Sequence, residues 1–309
     1  AVAEAARGSN RYADHRATEA RHRIAHWLGV EPEMVTVGCG SVGLLQQLAL
    51  TYVDPGDEVV YPWRSFEVYP VYTQLMGGTA VTVPLNADLG FDLDAVAAAV
   101  RSRTKLVLLA TPHNPTGTAV STDALAAMLE RIPEETIVVI DEAYREFVDP
   151  GFGDPVAELV PDHPNVVVTR TFSKAHGLAG LRVGYAVGHP DVISTVDKTM
   201  LPFSVNALAQ AAALAALEHE AEIVEQVAAI LAERARVEAE LASAGWTLPN
   251  HQGNFVWLTL GDATDDVAVQ LERHGVVIRP FSGEGIRVTI GTPDENDRFL
   301  TTLSEVAAP

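Results

Sequence analysis

The chain has 309 residues, 48% of them apolar, with a formal net charge of −20 and one cysteine. Its length and apolar content suffice to bury a large core, as one large domain plus a smaller one. The acidity argues against a nucleic-acid partner, and no run reaches the about 18 apolar residues that a membrane-spanning helix needs. A lone Cys39 cannot form an internal disulfide and fits a reducing cytoplasm, the expected location. No group of cysteines and histidines has metal-ligand spacing.

From the amino terminus, short apolar runs alternate with helical stretches through the first two-thirds of the chain. Runs at 34–37, 58–61, 79–84, 106–110, 136–140, 165–169 and 182–187 predict a mainly parallel seven-stranded α/β sheet sandwiched by helices. The first run leads into Gly38, Cys39, Gly40, Ser41, Val42 and Gly43, a glycine-rich turn before a helix opening at Leu44. Amides at a helix N-terminus bind phosphate and glycines permit close approach, so Gly40, Ser41 and Val42 are candidate contacts. Asp92, followed by alanines up to Val100, predicts a capped helix start. The fourth run enters a turn in which Pro112 and Pro115 flank His113 and Asn114, fixing the direction of the asparagine side chain. The fifth ends at Asp141, with Tyr144 three residues on, where strands of open α/β sheets present ligand-binding groups. Residues 150–155 read as a surface loop.

After the sixth run comes the most informative stretch, Arg170, Thr171, Phe172, Ser173, Lys174 and Ala175, with Arg182 eight residues beyond the lysine. A lysine so placed can hold an aldehyde cofactor as a Schiff base while Ser173 and Arg182 grip a phosphate. A buried Asp141 suits a protonated pyridine nitrogen, because a carboxylate in low dielectric strengthens the ion pair. Further on, apolar residues from 223 to about 245 recur at helical spacing and predict one long amphipathic helix. Runs at 254–260, 275–278 and 285–290 then predict a smaller α+β domain carrying Arg279 and Arg287. Residues 1–12 read as an amino-terminal arm, 13–208 as the large domain and 209–309 as the small one. The cleft between the two domains is the expected active site.

Taken together and in this order, these motifs resemble the fold-type I pyridoxal-phosphate enzymes, specifically the class I/II aminotransferases. Within them the chain is similar to the histidinol-phosphate aminotransferase group and, nearer still, to its aromatic amino acid (phenylalanine) branch. The segments at 10–12, 38–42, 63–70, 170–175, 254–258 and 279–289 carry that likeness. It implies pyridoxal 5′-phosphate as cofactor, bound covalently by Lys174. Phe66 would stack on the ring, and Asn114 and Tyr144 would meet its phenolate oxygen. Asp141 would pair with the ring nitrogen, while Thr171, Ser173 and Arg182 would hold the phosphate. Tyr12 would reach the partner subunit's cofactor phosphate across a homodimer interface. Arg287 would clamp the substrate carboxylate with help from Asn114, and Arg279 would meet the phosphate of histidinol phosphate.

The implied reaction is a ping-pong Schiff-base transfer of the amino group between an aromatic amino acid and 2-oxoglutarate. The alternatives are histidinol-phosphate aminotransferase, a decarboxylase or carbon–sulfur lyase of the same fold, and a non-enzymatic sensor. Three departures stand out: His176 where the family has an aromatic residue, His113 where it has asparagine, and no Ser-Asn-Glu segment ahead of Ala1. Both histidines are expected to influence pH dependence, since histidine titrates near neutrality.

Overall fold

In the computed structural model, which describes residues 1–308, the seven anticipated runs form one sheet. Its strands are β1 Val35–Gly38, β2 Glu58–Trp63, β3 Thr79–Pro84, β4 Thr104–Ala110, β5 Ile137–Asp141, β6 Val166–Thr171 and β7 Gly184–Gly188. The order is β1-β7-β6-β5-β4-β2-β3; β3, β2, β4, β5 and β6 run parallel, and β7 is antiparallel to both of its neighbours. The central strands are buried on both faces, as their unbroken valine, isoleucine and leucine content requires. One face packs Val107, Leu109, Val138, Ile140, Val166 and Val168 into a core, and the other packs Leu106, Leu108, Val139 and Val167. That alternation follows from the two-residue period of a strand.

The topology aims the chemistry. β2, β4, β5 and β6 all end on one edge of the sheet, delivering the segments that carry Phe66, Asn114, Asp141 and Lys174. Because β7 runs the other way, its beginning lies on that same edge, and so does Arg182 just before it. β1 is antiparallel to β7, so its end also points there and feeds the Gly40–Tyr52 helix.

That helix starts at Gly40 rather than Leu44. Glycine and serine are poor interior helix residues, but first-turn amides need no intrahelical partner, and buried Leu44, Leu45 and Leu48 anchor the turn.

The small domain holds a three-stranded antiparallel sheet of order β8-β10-β9: β8 Phe255–Thr259, β9 Arg279–Phe281 and β10 Gly285–Thr289. The strand expected at 275–278 is instead the exit of the Thr264–Arg273 helix. Gly275 has φ +77°, Val276 N–H donates to the Leu271 carbonyl, and Val277 is exposed. The long helix runs Glu220–Ser243 and packs Val237 and Leu241 under this sheet. The preceding helix, Ala207–Glu218, buries Ala209, Ala213 and Leu217 in the large domain's core, so we place the domain boundary after Glu218 rather than 208. Residues 150–155 form a short 3₁₀ turn and open the Pro155–Glu158 helix. No helix among the described residues is long and apolar enough to cross a membrane.

A buried ion pair ties β5 to β6 behind the site. Arg170 donates to Glu142 (2.6 Å) and Asp154 (2.5 Å), with the Arg170 and Glu142 side chains only 4% and 3% exposed. Removing one partner of such a pair leaves a charge stranded in low dielectric, so Arg170→Ala is expected to cost about 3–5 kcal/mol, read from the urea midpoint.

Candidate active site

At the convergent edge a cavity of about 250 Å³ is lined by Ser41, Val42, Phe66, Asn114, Asp141, Tyr144, Thr171, Ser173, Lys174, Arg182 and Arg287, with Ala110, Pro112, Ala143 and Ala179 filling its walls. Nearly every residue singled out from the sequence therefore meets in one place. A larger open groove of about 850 Å³, near Asp88 and Trp246, is lined by no ionisable side chain besides that aspartate.

One end of the cavity is a cup of donors. Thr171 Oγ1 donates to Ser173 Oγ (2.9 Å), and Arg182 reaches Ser173 Oγ (3.5 Å) while donating to the Ala179 carbonyl (2.9 Å). Arg182 holds a left-handed backbone (φ +62°), a strained state for a residue with a side chain and one met at functional sites. Gly40 is favoured by its left-handed backbone, and the arginine's mobile end lies close to it. Its φ is +71°, and a Cβ there would stand 2.5 Å from Arg182 Nη2. Gly184 is equally constrained, since a Cβ would meet the Ser41 amide nitrogen at 2.5 Å. Two glycines thus let the start of the helix and the arginine crowd around a space suited to an anion.

The floor is Asp141, fully buried at the end of β5. Tyr69 Oη donates to one carboxylate oxygen (3.1 Å) and Thr169 Oγ1 to the other (3.0 Å). Burial pushes this carboxyl up to about 6, against the pull of those two hydrogen bonds and of the Lys174 charge. Sequence reasoning missed both donors. Tyr69 lies three residues after Phe66, and that spacing alone hinted at a shared helical face. The two rings pack edge-to-face at 5.9 Å, which orients Phe66.

Lys174 carries its Nζ 5.1 Å from the centre of the Tyr144 ring, and Tyr144 packs edge-on against Phe255 of the small domain. Tyr144, Phe147, Ala175, Val227 and Phe255 make an apolar seam between the domains directly behind the lysine. From the small domain, Arg287 Nη1 donates to Asn114 Oδ1 (2.5 Å), while its Nε is buried without a partner among the described residues. An orphaned buried donor of this kind is a place for an anionic ligand.

One expectation needs correction, and two other residues lie outside the cavity lining. His113 and His176 do not titrate near neutrality. Burial lowers them to about 3 and about 4, with His113 held by Thr116 Oγ1 (2.6 Å) and His176 packed on Phe172 (4.8 Å). Arg279 is not in the cavity wall; it pairs with Glu67 at 2.5 Å and is half exposed. Tyr12 is 85% exposed, stacked on Phe203 at 4.7 Å, and is absent from the lining of the cavity of its own chain.

A doubly covered sheet of this order, with such a cavity on its edge, is that of a fold-type I pyridoxal-phosphate-dependent enzyme. The sequence matches the family model "Aminotransferase class I and II" over residues 1–303, and the chain belongs to that family of transaminases. Among curated proteins, an aromatic amino acid aminotransferase of Thermobifida fusca is 54% identical over 302 residues, covering 97% of this chain and 84% of that one. One from Mycobacterium tuberculosis is 49% identical over 293 residues, covering 94% and 83%. Among solved structures, histidinol-phosphate aminotransferase from Sinorhizobium meliloti, in complex with pyridoxal-5′-phosphate, superposes with a TM-score of 0.93 at 33% identity, covering 99% and 85%.

The residues present fit the cofactor. The glycine-lined donor cup suits its phosphate, buried Asp141 its basic ring nitrogen, and Phe66 its flat ring.

Asp141 makes a pH test available. Its carboxyl is raised in the folded protein above the ordinary value near 4, so its contribution to stability is complete at acid pH and is lost as pH rises through about 6. In the cofactor-free protein, Asp141→Asn is therefore expected to gain on the wild type between pH 5 and pH 8, by about 1.4 kcal/mol. Thermal melts at the two pH values check this.

Proposed function

We propose that this transaminase moves the amino group of an aromatic amino acid to 2-oxoglutarate, with Lys174 as the catalytic residue. The observation that carries the reading is the presence of Lys174, Asp141 and the Arg287–Asn114 pair in one small cavity. The aromatic preference is supported by the names of relatives 54% and 49% identical to this chain.

Pyridoxal phosphate, when bound, supplies an aldehyde and an electron-withdrawing ring that stabilises negative charge on the substrate's α-carbon. The chain supplies the rest. Ser41, Thr171, Ser173 and Arg182 hold the phosphate, with charge-assisted bonds from the guanidinium. Asp141 keeps a proton on the ring nitrogen, and Tyr69 and Thr169 keep Asp141 in place. That proton in turn stabilises the aspartate's charge and offsets the burial that otherwise raises it. Phe66, oriented by Tyr69, would pack against the ring. Arg287 takes the substrate carboxylate, its geometry set by Asn114. The Lys174 amine then removes the proton from the substrate's α-carbon and returns a proton on the other side of the transfer.

We further propose a homodimer in which Tyr12 reaches the partner's phosphate cup. Its exposed ring, stacked on the exposed Phe203, forms the kind of apolar patch that a second subunit covers.

Two measurements test this reading. Lys174→Ala is expected to abolish turnover and to lose the mass increase that borohydride reduction otherwise fixes on that residue; a variant still turning over sinks the assignment. A side-by-side kcat/KM for phenylalanine, tyrosine and histidinol phosphate, with 2-oxoglutarate as acceptor, is expected to favour the aromatic amino acids. Preference for histidinol phosphate would reverse the substrate reading while leaving the transaminase intact.

A further inference from the structure

Five cationic side chains stand at or beside the cavity, and they fall into two groups. Lys174, Arg182 and Arg287 line it and have no carboxylate partner among the described residues. Arg64 and Arg279, at its outer rim, are each held by a glutamate from the opposite domain. Arg64 Nε donates to Glu284 (2.8 Å), and Arg279 Nη2 donates to Glu67 (2.5 Å). Both rim guanidiniums also lie 5.8 Å from the Phe281 ring, and Arg64 lies 4.8 Å from Trp63.

The small sheet fixes how these cations are spaced. Arg287 sits directly opposite Arg279 on β9 and opposite Trp257 on β8, so the three side chains share one face in a row. Adjacent strands lie about 5 Å apart, which makes Arg279 the next cation beyond the carboxylate clamp. A carboxylate on Arg287 does not need it. A phosphate monoester carried on a longer arm in the carboxylate's place extends past Arg287, bears about −1.5 to −2 charges at neutral pH, and needs a second guanidinium. Here that guanidinium is already taken by Glu67, whose own charge faces the incoming phosphate.

We propose that Glu67 is a specificity-determining residue: by holding Arg279, it restricts the anion site to singly charged carboxylates and disfavours phosphorylated amino donors. Glu67 is not part of the catalytic machinery, and the pair is half exposed, so it acts as a charge filter and not as a structural brace. The proposal rests on Arg287 as the carboxylate clamp, the reading given above.

The test is the donor half-reaction of the holoenzyme, with no oxo acid present, followed by the change in cofactor absorbance. Wild type, Glu67→Gln and the double variant Glu67→Gln/Arg279→Gln are compared at one low ionic strength, because salt screens an exposed pair. Glu67→Gln is expected to raise the ratio of kcat/KM for histidinol phosphate over that for phenylalanine by about fivefold or more, and the double variant to lose the gain. Inorganic phosphate gives a second readout that needs no phosphorylated donor, since its inhibition against phenylalanine tightens in Glu67→Gln.

A ratio within about twofold of wild type, with unchanged phosphate inhibition, overturns the proposal, as does a gain that survives in the double variant. A Glu67→Gln protein too slow to assay is read by phosphate binding alone, where unaltered affinity overturns it too. A wild type that prefers histidinol phosphate counts against the substrate reading, whereas the response to Glu67→Gln is judged separately.

Discussion

The site depends on a carboxylate placed where it is costly to keep. Asp141 ends a strand that is buried throughout, and the two hydroxyls that hold it, from Tyr69 and Thr169, do not cancel the penalty of burial. What makes the position tenable is a positively charged partner in the cavity above, and a protonated pyridine ring is one. The same desolvation that destabilises Asp141 alone strengthens its pairing with that ring. Around this one group the other demands line up: a donor cup for phosphate at one end, an aromatic wall for the ring, and an amine within reach of the reacting carbon.

Charge is managed locally in a molecule that is strongly acidic overall. A net charge of −20 does not favour approach of an anionic substrate. The cavity answers with three cations that have no carboxylate partner among the described residues, while the arginines of its rim and of the region behind β6 are tied to acidic residues. Unpaired positive charge is thus found where an anion is to be held, and paired charge at the rim and behind β6. The rim pairs connect the large and small domains, so the arrangement that sorts charge also spans the cleft.

Much of the fold was legible because its signals are local. Each of the seven buried strands shows as an apolar run, and β1 to β7 fall within a residue or two of expectation. The helix opening at Gly40 was placed four residues late because low-propensity residues mask a first turn whose purpose is to leave amides open. The run at 275–278 looked like a strand, but Gly275 turns the chain out of a helix there. His113 and His176 carry the ordinary imidazole value in sequence and lose it through burial, which no local pattern reports.

The sequence by itself determined the inventory: which segments become strands, which turns must be glycine, and which lysine, aspartate and arginines are the candidates for the chemistry. These follow from backbone sterics and side-chain period, properties of neighbours along the chain. Tertiary structure alone decided the partnerships. Tyr69 meets Asp141 across 72 residues, Arg287 meets Asn114 across 173, and Arg279 meets Glu67 across 212. Such pairings arise only when strand order and domain packing bring distant segments to one edge. The free energy of a charge depends on what surrounds it there, not on its neighbours in sequence.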